Sequence, residues 1–132
     1  MPGIGDFLVD TSILLVHVRV GSAKSPYLKA LALYGIAVVS EMSVFEVEVG
    51  GLKAGRVDEF NYFFGPISSA NIDRAVVMKA AEIHADLLRK NLVIGLPDTL
   101  IAATALVHQL PLLTVNTKHF SRVANLQLLP LP

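Results

Sequence analysis

The sequence predicts an α/β fold, a three-layer α/β/α sandwich with a central, mainly parallel sheet. Two observations point there. Short apolar runs rich in β-branched residues alternate with segments of helical length, the order of successive βαβ units. These runs are continuously apolar, as suits strands covered by helices on both faces of a sheet.

The elements follow in chain order. Phe7-Leu8-Val9 is an apolar strand that stops at Asp10, and Asp10-Thr11-Ser12 supplies cap chemistry for a helix carrying Ile13, Leu14, Val16, Val18 and Val20 to Gly21. A second helix is expected from Ser25 to Tyr34, with Pro26 in its first turn and Gly35 closing it. Ile36-Ala37-Val38-Val39 is too short for a helix and reads as a buried strand. Glu41 to Leu52 has helical length despite Gly50-Gly51, and Val57 to Phe64 forms a further helix. After the Gly65-Pro66 break, Ile67-Ser68 is a small strand, and Asn71 is expected to cap a helix whose apolar stripe is Ile72, Ala75, Val76, Ala80, Ile83 and Leu87. Leu96-Pro97-Asp98 introduces an interior helix from Thr99 to His108. Leu112 to Val115 and Leu126 to Leu129 are the last expected strands.

Composition narrows the function. With 132 residues, 53% of them hydrophobic, the chain is expected to form a single domain spanning 1–132 around a substantial core. The absence of cysteine excludes disulfides, thiolate zinc sites, iron–sulfur clusters and a cysteine nucleophile, and makes the cytoplasm the expected compartment. No two of the four histidines, His17, His84, His108 and His119, stand at the i, i+4 spacing of a helical zinc site, so a bound metal is expected to be held by oxygen. Eleven Lys and Arg balance eleven Asp and Glu, which argues against coating nucleic acid by general electrostatics. Met1 to Asp6 shows no signal peptide. The least polar stretch, Thr99 to Thr117, is interrupted by His108, Gln109 and Pro111, so no membrane span is expected.

In a parallel sheet, ligands bind beyond the carboxyl ends of the strands, so polar residues just past those ends carry the functional signal. Asp10 and Asn116 follow strands, and Glu46 and Asp98 lie on helices that start beyond strand ends. Right-handed crossovers bring all four to one edge. Carboxylates gathered without basic neighbours repel one another unless a cation joins them. Oxygen ligation favours Mg²⁺ or Mn²⁺, and the chemistry it suits is hydrolysis of a phosphodiester by metal-bound water. There is no Gly-x-Ser-x-Gly elbow and no phosphate-binding Gly-Lys-Ser/Thr loop.

Four blocks then carry a family resemblance: Leu8-Val9-Asp10-Thr11-Ser12-Ile13-Leu14, Ser43-Val44-Phe45-Glu46-Val47, Leu96-Pro97-Asp98-Thr99-Leu100-Ile101-Ala102-Ala103-Thr104-Ala105, and Leu113-Thr114-Val115-Asn116-Thr117-Lys118-His119-Phe120. In order and spacing they resemble the PIN domain, and within it the VapC-type toxins of toxin–antitoxin pairs. The resemblance implies a Mg²⁺-dependent endoribonuclease that stops translation, acts as a homodimer and is covered by a small antitoxin. It assigns Asp10, Glu46 and Asp98 as metal-binding acids and Asn116 as the fourth site residue. Thr11, Ser12 and Thr114 either bind a metal-bound water or cap the backbone, and Thr11 and Thr114 are read as supporting residues. The second acid often found three residues after the fourth position is replaced by His119.

Each assignment has a plainer alternative. Asp10 and Asp98 are equally suited to capping helices, Glu46 to an exposed helix face, Asn116 to a turn, and His119 to an exposed loop. Arg19, Lys24, Lys53, Arg56 and Lys118 are scattered, so RNA recognition would rest on shape and unpaired nucleotides. The apolar stripes at Leu28, Leu31, Ala32 and Phe60 to Phe64 serve either the core or a docking face. Two other functions stay open: a PIN-like binding module with weak or no catalysis, and a phosphate-receiving domain built on Asp10, Thr114 and Lys118.

Overall fold

The structure, a computed structural model, describes residues 5–132. Its four strands are β1 (Gly5–Val9), β2 (Gly35–Ser40), β3 (Ser68–Ala70) and β4 (Leu112–Leu113). The helices are α1 (Thr11–Val20), α2 (Pro26–Tyr34), α3 (Glu41–Ala54), α4 (Val57–Phe64), α5 (Arg74–Arg89), α6 (Leu96–Val107) and α7 (Thr117–Phe120), with a 3-10 turn over Ser22–Lys24. All strand pairs are parallel, in the spatial order β3-β2-β1-β4. From β1 the chain steps outward to β2 and β3, then returns to the other side of β1 as β4. That reversal opens a crevice beyond the carboxyl end of β1, where such sheets bind ligands.

Side-chain alternation divides the core into two layers. Phe7 and Val9 pack with Ile13, Leu14, Ala30, Val39, Val47, Phe60 and Phe64 on one face, whereas Leu8 packs with Val76, Ile83, Leu87, Ile101 and Phe120 on the other. Helices α1 to α4 thus cover one face and α5 to α7 the opposite one, which is the expected three-layer sandwich. The two ends of α2 behave as their sequence demands. Ser25 Oγ accepts the Leu28 N–H at 3.2 Å, and Gly35, with φ of 130°, turns the chain directly into β2. A Cβ at Gly35 would lie 2.5 Å from the Gly5 carbonyl oxygen, so this junction admits no larger residue.

Several boundaries differ from expectation. The cap of α5 is Asp73, whose Oδ1 accepts the Val76 N–H at 3.1 Å, and not Asn71. Asn71 and Ile72 lie in the connection between β3 and α5, and Ile72 reaches the core from outside the helix. Helix α6 begins at Leu96, three residues early, because Pro97 fits a first helical turn where its missing N–H is unneeded. The expected strand over Leu126 to Leu129 is a single bridge from Leu128 to Leu112, and β4 itself ends at Leu113. Thr114 stops it by turning its hydroxyl onto the Asn116 N–H, a side-chain turn that competes with the ladder.

Candidate active site

Four segments meet in the crevice: the start of α1, the second turn of α3, the first turn of α6, and the loop after β4. Asp10 stands at the cap position of α1 with extended backbone (φ −69°, ψ 149°), yet its side chain caps nothing. Its Oδ2 accepts from Ser12 Oγ at 2.6 Å and Thr114 Oγ1 at 2.7 Å, and the residue is only 3% exposed. Burial raises its pKa, the two hydroxyl bonds oppose that rise, and the charge of Asp98 adds to it. The plain capping role is therefore excluded by geometry.

Glu46 is half-buried. Its Oε1 lies 2.7 Å from Thr11 Oγ1, which is itself 2.8 Å from the fully buried Ser43 Oγ. An ionised carboxylate only accepts, so the Thr11 hydroxyl is the donor to Glu46, and the same hydroxyl is also aimed at the Ser43 oxygen. Burial pushes the Glu46 pKa up, the Thr11 bond opposes it, and the charges of Asp10 and Asp98 reinforce it. Asp98 lies inside the first turn of α6 rather than at its cap, which is Gly95. There the positive end of the helix favours a negative side chain. Its Oδ2 meets Asn116 Nδ2 at 3.2 Å and His119 Nδ1 at 3.3 Å.

The structure thus brings Asp10, Glu46, Asp98 and Asn116 to one edge, with Thr11 and Thr114 bonded to the acids. Thr114 joins two of these residues: it donates to Asp10 and accepts the Asn116 N–H at 2.9 Å. Ser12 likewise donates to Asp10 while accepting the Val115 N–H at 3.3 Å. Sequence reasoning did not single out Ser43, and it placed Ser12 in cap chemistry and His119 at a position where the family often has an acid. Ser43 stands three residues before an acid and Ser12 two after one, so each had a local signal. The contact of His119 with Asp98 arises only through the fold, and it sits on α7 rather than in an exposed loop.

Neither Asp10 nor Glu46 has a Lys or Arg within ion-pair distance among the described residues. The Lys and Arg ion pairs present engage Glu59, Glu82 and Asp86, and Asp98 instead meets the His119 ring. Arg56 is held by Glu59 and lies over the Phe60 ring, so it is not free to meet a polyanion. Oxygen donors whose burial and neighbouring negative charges raise the pKa of Asp10 and Glu46, with no Lys or Arg beside them, are a donor set that suits a hard divalent cation. Among the described residues no three His, Asp or Glu side chains are gathered closely enough to hold a metal ion by themselves.

A family model described as "PIN domain" matches residues 7–126. The chain belongs to the PIN-domain family. Within it, the chain is 31% identical to a ribonuclease VapC of Rickettsia bellii over 134 aligned residues, covering 95% of this chain and 96% of that one. It is 30% identical to ribonuclease VapC10 of Mycobacterium tuberculosis, covering 86% and 84%. The fold of this PIN domain is also that of VapC-containing assemblies. A VapBC2 complex of Rickettsia felis bound to promoter DNA aligns with TM-score 0.81 and 23% identity over 94% of this chain and 97% of that one. A toxin–antitoxin complex of Klebsiella pneumoniae aligns with TM-score 0.69 and 28% identity over 87% and 90%.

Proposed function

We propose that this PIN domain is a Mg²⁺-dependent endoribonuclease toxin that hydrolyses RNA phosphodiester bonds, inhibits translation and is neutralised by a small antitoxin. The carrying observation is Asp10: it occupies a cap position without capping, is buried, and shares its crevice with two acids and no neutralising Lys or Arg. Asp10, Glu46 and Asp98 would hold the cation, Mg²⁺ or Mn²⁺, with Asn116 completing the site through its amide on Asp98. When bound, such an ion lowers the pKa of its water and offsets charge on the leaving oxygen. Ser12 and Thr114 keep Asp10 oriented, and Thr11 does the same for Glu46. Burial keeps both carboxylates out of bulk water, where their attraction to a cation would be screened.

VapC relatives are named ribonucleases, and solved neighbours are complexes with antitoxins. For this chain a partner face is supported by Phe45, Leu52, Tyr62 and Phe63, apolar side chains of α3 and α4 left exposed. A homodimer and a cytoplasmic setting complete the reading. No helix among the described residues is long and apolar enough to cross a membrane. The decisive experiment is cleavage of total RNA by purified protein with Mg²⁺ or with chelator, beside Asp10→Asn. Cleavage that needs Mg²⁺ and Asp10 supports the reading, and equal cleavage by both proteins refutes the site. The alternative, a PIN-like module with weak or absent catalysis, is favoured by the two uncharged or basic residues at Asn116 and His119, and predicts no Mg²⁺-dependent cleavage by either protein.

A further inference from the structure

His119 is the one nitrogen base in the acidic crevice, and its contacts assign it a job. Asn116 Nδ2 lies 2.9 Å from His119 Nδ1 and 3.2 Å from Asp98 Oδ2. An amide nitrogen carries two hydrogens, enough to donate one to each partner. His119 Nδ1 then accepts, its ring proton sits on Nε2, and the Asn116 oxygen turns away from Asp98. One oxygen of Asp98 is thereby occupied on the side facing α7, leaving the other for a cation.

Charge arithmetic sets how many cations this arrangement holds. Asp10, Glu46 and Asp98 carry three negative charges when ionised, and Asn116 adds a dipole but no charge. One divalent ion leaves the crevice at a net −1. A second leaves it at +1 and competes for an Asp98 oxygen that already accepts the Asn116 amide.

We propose that His119 is a positioning residue that limits the site to one divalent cation, by holding the Asn116 amide against Asp98 and so occupying the α7 side of that carboxylate. The proposal rests on reading Asp10, Glu46 and Asp98 as a cation site. His119 is 41% exposed at its side chain, so its replacement disturbs little of the core. The test is titration of the full-length, RNA-free protein with Mn²⁺, read by calorimetry and by the electron spin resonance of free ion. The native chain binds one Mn²⁺. The His119→Asp variant gains a second, His119→Ala keeps one with about tenfold weaker affinity, as for loss of an outer partner of a metal ligand, and His119→Gln restores the native affinity by accepting the same amide hydrogen. Circular dichroism confirms that each variant is folded.

Two equivalent ions on the native chain, or His119→Asp and His119→Ala variants that both bind as the native chain does, overturn the proposal. If the native chain binds one ion that Asp10→Asn loses, while all His119 variants match it, the cation site stands and only the role of His119 falls. If the native chain binds none, both fall together.

Discussion

Replacing Asp10 by Asn separates what the carboxylate does for the fold from what it does for a cation. Both of its hydrogen bonds, from Ser12 and Thr114, converge on the single oxygen Oδ2. An Asn with its carbonyl oxygen in that place keeps both. Its amide then points where Asp10 had a bare oxygen facing the other acids, so the variant trades repulsion for a donor. Without divalent ions, Asp10→Asn therefore melts higher than the native chain. With them the order reverses. A ligand at one hundred times its dissociation constant stabilises the folded state by about 2.7 kcal/mol. For 132 residues, an unfolding entropy of about 2.1 cal/mol/K per residue gives roughly 0.28 kcal/mol per degree, so Mg²⁺ raises the native melting point by about 10 °C. The variant gains nothing at that concentration. Differential scanning calorimetry with and without Mg²⁺, at equal ionic strength, measures all four values. A native chain indifferent to Mg²⁺, or an Asp10→Asn variant that is less stable without it and shifts equally with it, would refute the reasoning.

The same pair of proteins carries a pH prediction. Burial raises the Asp10 pKa above its unfolded value near 3.9, so the folded chain holds this proton more tightly than the unfolded one. The native chain's deficit against Asp10→Asn is then present at neutral pH, shrinks as pH falls through the folded pKa, and is gone below about 3.9. Urea melts in metal-free buffer trace it, and a deficit that widens on acidification contradicts it. Thr114→Val removes the donor to Asp10 and the acceptor of the Asn116 N–H at nearly constant volume. It lowers stability by about 1–3 kcal/mol and RNA cleavage by roughly 10–100-fold, and unchanged cleavage at saturating Mg²⁺ counts against it. Gly35→Ala forces a side chain into a positive-φ position against the Gly5 carbonyl and costs at least about 1–3 kcal/mol in the same urea assay, with the Mg²⁺ response of the surviving folded protein unaltered.

What was legible in the sequence was whatever depends on near neighbours or on a period. Ser25-Pro26 and Gly35 delimit α2 by local backbone chemistry alone, and the run Phe7-Leu8-Val9 announces a strand covered on both faces. Asp73 was overlooked as the cap of α5 because Asn71 offered the same chemistry two residues earlier, and only the path out of β3 decides between them. The short pairing at Leu128 was overestimated for a related reason, since an apolar run shows that a segment is buried but not how many ladder bonds it finds. The acids themselves were visible as residues after strand ends, and Thr11 and Thr114 as their supports, whereas which group each would meet was not. Ser43 meets Thr11 across 32 positions and Thr114 meets Asp10 across 104, distances at which no local pattern informs.

That last separation has a consequence for how the protein comes into being. The segment bearing Asp10 and the one bearing Thr114 and Asn116 lie near opposite ends of the described chain, joined only when β4 docks beside β1. Parallel pairing over so long a loop is among the slower steps of folding, because closure entropy must be met before any contact rewards it. An incompletely synthesised chain can carry Asp10 and Glu46 and still lack the residues that orient the first and complete the crevice. If the crevice is the seat of a destructive activity, its division between distant segments makes a fragment harmless, and the completed fold the condition for any damage.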